Sequence, residues 1–339
     1  MLIKYIINLE RFSYHYKYNE PLYTFMKKPE ILVSVPSDIG AQRLGTSLAL
    51  DALLVADSER NESILKKIPI KILVSYPNKR GEVGPYAQGK YAKLLSELNN
   101  NTAKEISAIV KNQYPLIISG DHSNAIGIMA GVREAIGADK KLGVIWIDAH
   151  ADLHTPYTTP SGNLHGMSLS ASMGYDNIEL SRSTIDAGLK PFWEELKHCG
   201  ASRLTPKIGP EDIFFIGLRD FEIQEYHLIR DYKLNHYSPY DVKAKGLSFI
   251  LDQAVTYFKN YDAVYVSFDV DVLDTSVSTG TGTPVYNGLL LAEAKQVVDT
   301  LKRLENIRLW EFTEINPLLD NNNSMSKAVI ELIDVLMED

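Results

Sequence analysis

Three short segments of this 339-residue chain each run from an apolar stretch into side chains that bind divalent cations. PLIISGDHS delivers Asp121 and His122, GVIWIDAHAD delivers Asp148, His150 and Asp152, and AVYVSFDVDVLD delivers Asp269, Asp271 and Asp274. In extended backbone, side chains at i, i+2 and i+4 point to one side. Asp148, His150 and Asp152 can therefore converge, and so can Asp269 and Asp271. Charged groups are rarely buried unless they are paired or hold a metal. At least four carboxylates meeting in a small volume, with no Lys or Arg close in sequence, need cations, and two divalent ions balance them. Two such ions about 3.5–4 Å apart share a water and lower its pKa toward neutrality, which makes a hydroxide nucleophile beside two Lewis acids. Taken singly, an Asp or His at a strand end is ordinarily a solvated loop group or a helix cap, a role open to Asp121. Three such clusters in one chain point to metal-assisted hydrolysis.

The ligand types narrow the metal. Many carboxylates, two imidazoles and no thiolate suit Mn²⁺, with Fe, Co or Ni as other occupants. A closed structural zinc site would normally use Cys. The chain has a single cysteine, Cys199, which excludes an intrachain disulfide and fits a reducing, cytoplasmic setting. No run of roughly 18 apolar residues marks a membrane-spanning helix. A net charge of −8 and the lack of a basic stripe argue against a nucleic-acid partner.

The elements that must position these residues can be read from apolar patterning. Strands are expected at Ile31–Val35, Lys71–Tyr76, Pro115–Ser119, Gly143–Asp148, Asp212–Leu218, Ala263–Asp269 and Arg308–Thr313. Helices are expected at Ala87–Lys111, Asn124–Gly137, Phe221–Tyr232, Leu247–Asn260, Leu289–Leu304 and about Met325–Met337. Buried apolar strands separated by helices predict an α/β fold with a mostly parallel sheet covered on both faces. In such sheets ligands bind at the carboxyl ends of the strands, where the three clusters fall. Residues 1–30 read as an N-terminal extension and 31–339 as one catalytic domain, with 176–210 its least regular stretch.

At this level of detail the chain resembles the ureohydrolases, and among them the arginases, from about residue 31 onward. The anchors are SGDHS (119–123), DAHAD (148–152), SGNLHGM (161–167), IGLRD (216–220), SFDVDVLD (267–274), GTGTP (280–284) and EINP (314–317), in the family's order. The resemblance implies the three-layer arginase–deacetylase architecture with a central sheet of about eight strands, and an assembly of three or six copies. It implies one manganese on His122, Asp148, Asp152 and Asp269, and a second on His150, Asp148, Asp269 and Asp271. It also implies that a metal-bridging hydroxide attacks the guanidinium carbon of a small substrate held by Glu314. Asp152 would pass a proton to the leaving amine, His165 would shuttle protons to solvent, and Thr283 would line the same pocket. Products would be urea and, from L-arginine, L-ornithine.

The substrate-tail positions depart from the family pattern. His154 stands where arginases usually have Asn, and Glu222 stands where Asp is usual; Ser161, Asn163 and Glu225 match. Ser119 replaces a customary Gly, and Thr275 a customary Pro. Arginine leads as substrate, with agmatine, guanidinobutyrate or formiminoglutamate as alternatives, and a non-catalytic metal-binding relative as the reading from another class.

Overall fold

The structure, a computed structural model, describes residues 27–73 and 86–338. Most of the expected N-terminal extension, and residues 74–76 of the expected second strand, lie outside the described residues. The strands are β1 (Ile31–Val35), β2 (Ile70–Ile72), β3 (Pro115–Ser119), β4 (Leu142–Ile147), β5 (Ile213–Ile216), β6 (Asn235–Tyr237), β7 (Ala263–Asp269) and β8 (Ile307–Thr313). They form one sheet in the order β2-β1-β3-β8-β7-β4-β5-β6, and every pairing is parallel.

Alternation along each strand divides the core into two layers. Leu116, Ile118, Ile145, Ile147, Val264, Val266 and Phe268 face one side and pack with α1 (Ala49–Ser58), α8 (Leu247–Phe258), α9 (Leu291–Leu301) and α10 (Ser324–Met337). Ile117, Val144, Trp146, Tyr265 and Leu309 face the other and pack with α2 (Ala92–Val110), α3 (Ala125–Ile136) and α6 (Ile223–Asp231). Central strands apolar on both faces need helices on both, which gives the three layers. The remaining helices, α4 (Ser168–Met173), α5 (Lys190–Lys197) and α7 (Pro239–Lys245), are short. Among the described residues no helix is long and apolar enough to cross a membrane.

Several helices start later than patterning predicts, each for a local reason. Tyr91 has φ 61°, so α2 cannot extend back to residue 87. Glu222 is extended, and its amide donates to Glu225 Oε2 at 3.0 Å, which caps α6 at Ile223. The eighth strand, β6, is a three-residue edge with no fully buried residue, so it carries no apolar run to read.

Candidate active site

The carboxyl ends of β3, β4, β7 and β8 lie side by side, because these strands are neighbours in the sheet. After β3 the chain turns through His122–Asn124, capped by Asp121 Oδ1, which accepts the Ser123 amide at 2.8 Å. The other oxygen of Asp121 accepts the Gly40 amide at 2.8 Å. Asp121 is therefore a cap, and His122 is the residue presented to the cluster. Asp274 is likewise spent on loop amides, those of Ser276 at 3.0 Å and Gly288 at 3.1 Å.

Three aspartates of the cluster share a design. Asp148 Oδ1 accepts the His150 amide at 2.7 Å, Asp269 Oδ1 the Asp271 amide at 2.8 Å, and Asp271 Oδ1 the Ala149 amide at 3.2 Å. One oxygen of each is thereby fixed and the second is left to converge. Around His122 Nδ1 stand Asp148 Oδ2 at 3.1 Å, Asp152 Oδ2 at 3.1 Å and Asp269 Oδ2 at 3.2 Å. Neither His122 Nδ1 nor Asp148 Oδ2 has a hydrogen-bond partner, although both are buried. His150 Nδ1 lies 2.9 Å from Asp271 Oδ2 and 3.6 Å from Asp148 Oδ1. Ligand atoms of His122, Asp148 and Asp269 fall within 4.8 Å of one another, and so do those of Asp148, His150 and Asp271. Asp148 belongs to both groups.

The electrostatics show what such a cluster demands. Burial and the neighbouring carboxylates push Asp152, Asp269 and Asp271 above the ordinary carboxylate range. Burial alone would lower His122 and His150, but the carboxylates beside them raise both well above the usual imidazole value. Buried acids that can ionise only by holding protons on adjacent imidazoles are acids that divalent cations satisfy. The donor set, oxygen and imidazole nitrogen with no thiolate, fits such ions.

A cavity of about 270 Å³ opens over the cluster, and every site residue that the family resemblance implies, except Asp148 and Glu314, lines it. Those two lie beneath. Glu314, the residue after β8, has φ 62° and Asp152 has φ 51°, so both carboxylates sit in the left-handed region that non-glycine residues seldom adopt. Glu314 Oε1 accepts the His122 amide at 3.0 Å and lies 3.1 Å from His165 Nδ1. Thr283 donates to Asp271 Oδ2 at 3.2 Å.

Comparison with known families matches residues 29–338 to the one described as the Arginase family. The chain belongs to the arginase family. The arginase of Bacillus caldovelox is 33% identical over 313 residues, covering 90% of this chain and 97% of that one. The arginase of Brevibacillus brevis is 33% identical over 319 residues, covering 93% and 99%. The solved B. caldovelox arginase superposes with a TM-score of 0.76 at 30% identity, covering 92% and 99%. That of Entamoeba histolytica, in complex with L-ornithine, gives 0.75 at 25% identity, covering 92% and 100%. The chain is thus a metal-dependent ureohydrolase, with the eight-stranded α/β fold expected of the family.

The outer cavity holds a further cluster of titratable groups, His154, Glu222 and Glu225. His154 Nε2 lies 2.8 Å from Glu222 Oε2 and 3.4 Å from Glu225 Oε2. Glu225 also accepts the Leu153 amide at 3.0 Å. Hydrogen bonding to His154 lowers the Glu222 pKa to about 2, whereas burial raises that of Glu225 to about 8. On the far wall Ser161 Oγ accepts the Asn163 amide at 3.2 Å, and Lys90 Nζ donates to Asn163 Oδ1 at 3.2 Å.

Sequence reasoning passed over several residues. Asp220 lines the cavity and lies 3.7 Å from His150 Nε2; it stands inside the IGLRD anchor, which was the available signal. Trp146 stacks on the His122 ring, centroids 4.0 Å apart and planes 3° apart. Ser267 Oγ meets His122 Nε2 at 2.8 Å and donates to Glu311 at 2.8 Å. A charged residue within the buried strand IRLWEFT was the visible clue to Glu311.

Proposed function

We propose that this chain hydrolyses the guanidinium group of L-arginine to urea and L-ornithine at a centre of two divalent cations, manganese first among them. The observation that carries the reading is His122 Nδ1, buried and unpartnered among oxygens of Asp148, Asp152 and Asp269. His122, Asp148, Asp152 and Asp269 would hold one ion, and His150, Asp148, Asp269 and Asp271 the other. Bound there, the pair offsets the carboxylate charge and supplies a water acidified toward neutrality.

The chain's own groups do the rest. Oε1 of Glu314 is already engaged, so Oε2 is the acceptor left for a guanidinium. A Cβ at Gly282 would stand 3.7 Å from that oxygen, so the glycine leaves room beside it. Asp152, at the cavity wall, is positioned to take a proton from the attacking water and release it to the leaving amine. His165, also in the wall, exchanges that proton with solvent. Arginine is favoured by the family and by the relative solved with L-ornithine, the product this reaction requires.

One observation favours a second reading. Glu222, which the family pattern assigns to the substrate's α-amino group, is paired with His154 at 2.8 Å. A substrate with the carboxylate but without that ammonium, such as guanidinobutyrate, would not compete for it. Urea release from Mn²⁺-loaded protein, with arginine, agmatine and guanidinobutyrate compared side by side, decides between them. Preferred turnover of arginine supports the first reading and preferred turnover of guanidinobutyrate the second. No urea from any of them, with ions bound, would refute both. The family likeness also favours a cytoplasmic trimer or hexamer, which sedimentation would test.

A further inference from the structure

Glu311 lies in the middle of β8, fully buried, and among the described residues it forms no ion pair. An isolated buried carboxylate is unfavourable unless its charge is met by donors or by a distant cation. Here the donors are three hydroxyls. Ser119 at the end of β3 donates to Oε1 at 2.5 Å, Ser267 in β7 donates to Oε2 at 2.8 Å, and Tyr265 makes a short bond to the same oxygen. The sheet places them together: β8 lies between β3 and β7, with Ser267 in register opposite Glu311. Residues 265, 267 and 311 all project toward the layer that holds Trp146 and α3.

The direction of these bonds has a consequence at the metal cluster. A carboxylate only accepts, so the single proton of Ser267 goes to Glu311. At its other contact, 2.8 Å from His122 Nε2, Ser267 must then accept. In the neutral ring that ligation requires, the proton is thereby placed on Nε2, and the lone pair on Nδ1 faces Asp148, Asp152 and Asp269. Stacking on Trp146 fixes the plane of the ring that this chain of bonds polarises. Ser119, where the family customarily has Gly, adds a donor on the far oxygen of Glu311.

We propose that Glu311 is a positioning residue of the metal centre, acting through Ser267 to hold His122 with Nδ1 ready to ligate. The inference rests on the two-cation reading above but assigns a role to residues that touch neither ion nor substrate. Outer partners of ligating histidines typically contribute 10–100-fold in metal affinity. Titration of the metal-stripped full chain with Mn²⁺ against a competing chelator tests the proposal. In Glu311→Gln, whose amide can donate to Ser267 and reverse the relay, at least one ion is expected to bind about 10–100-fold more weakly. The melting temperature of the metal-free variant should stay close to that of metal-free wild type, which separates positioning from folding. Binding of both ions within threefold of wild type would overturn the proposal. Should Glu311→Gln fail to fold, Ser267→Ala decides: it should weaken binding more than Ser119→Ala, which removes only the outer bond, and the reverse order would overturn the relay. Wild-type protein that takes up no Mn²⁺ would overturn the two-cation reading itself, and this inference with it.

Discussion

His165 Nδ1 and Glu314 Oε1 lie 3.1 Å apart, tying the long loop after β4 to the end of β8 beneath the cavity. Burial alone would lower the His165 pKa, but Glu314, with Asp121 and Asp152 behind it, raises it to about 9. Burial would raise Glu314, yet His165 brings it below its ordinary value. A histidine raised on folding stabilises fully below its unfolded pKa of 6.5 and loses that contribution as pH climbs through about 9. A depressed carboxylate stabilises above its unfolded value of 4.5 and loses that as pH falls through its folded value. The pair should therefore contribute most between about pH 4.5 and 6.5. In metal-free protein, the gap in urea midpoint between wild type and Glu314→Gln should be widest there and close by about pH 10. A gap that does not change with pH would remove the ion pair.

The same histidine stands in the cavity wall, where a proton carrier can reach both solvent and substrate. His165→Asn should lower kcat by about 10²-fold or more while leaving metal content at the wild-type level. Unchanged turnover would remove the shuttle role; lost metal would show that the residue supports the cluster instead.

Much of this site could be read from sequence because its ligands follow strands at spacings of two residues, and a period of two fixes a common side. The converging sets at Asp148, His150 and Asp152 and at Asp269 and Asp271 are of this kind. What could not be read was the pairing across strands. Ser119 lies 192 positions from Glu311 and Ser267 lies 44 from it, and the three meet only because β3, β8 and β7 are neighbours. Similarly, His154 and Glu222 lie 68 positions apart, so their ion pair is a tertiary fact. β6 and the short helices α4, α5 and α7 escaped because so few residues cannot show a period, and α1 escaped because its apolar residues run round it, with Leu50 and Leu53 buried but Leu54 and Val55 exposed.

The His154–Glu222 pair leads to a prediction about specificity. Replacing His154 with Asn removes the partner that holds Glu222 at 2.8 Å and restores the residue customary in arginases. The variant should raise kcat/KM for arginine relative to guanidinobutyrate, because the freed carboxylate can meet an α-ammonium. An unchanged ratio across the two substrates would mean that Glu222 does not contact the substrate tail.

Asp148 offers the most direct test of the metal centre, since it belongs to both ligand groups. Asp148→Ala should lose bound metal and urea release together. Wild-type protein stripped by a chelator should melt about 5 °C or more below the Mn²⁺-loaded form, because ligand bound only to the native state stabilises it. The Asp148→Ala variant should show no such shift on adding Mn²⁺. A variant that retained both ions would sink the bridging assignment.

Gly120 shows how backbone packing sets the position of the ligands. It separates β3 from His122, and a Cβ built on it would land on the Ser37 carbonyl and crowd the Ser37 amide. These are backbone atoms, held in place because Gly120 N–H donates to Val35 at 2.9 Å and Asp121 N–H to Ser37 at 2.8 Å. The Gly120 carbonyl in turn accepts the Glu314 amide at 2.9 Å and the Thr313 hydroxyl at 3.0 Å. Any displacement of Gly120 therefore moves His122 and Glu314 together. Gly120→Ala should cost about 1–3 kcal/mol or more in urea unfolding of the metal-free protein, the range for overpacking a filled interior. The folded fraction should also bind Mn²⁺ more weakly than wild type, since His122 can no longer sit centrally among its three carboxylates. Wild-type stability would show that the Ser37 turn yields easily; wild-type affinity alongside lost stability would show that the cluster is positioned without this contact.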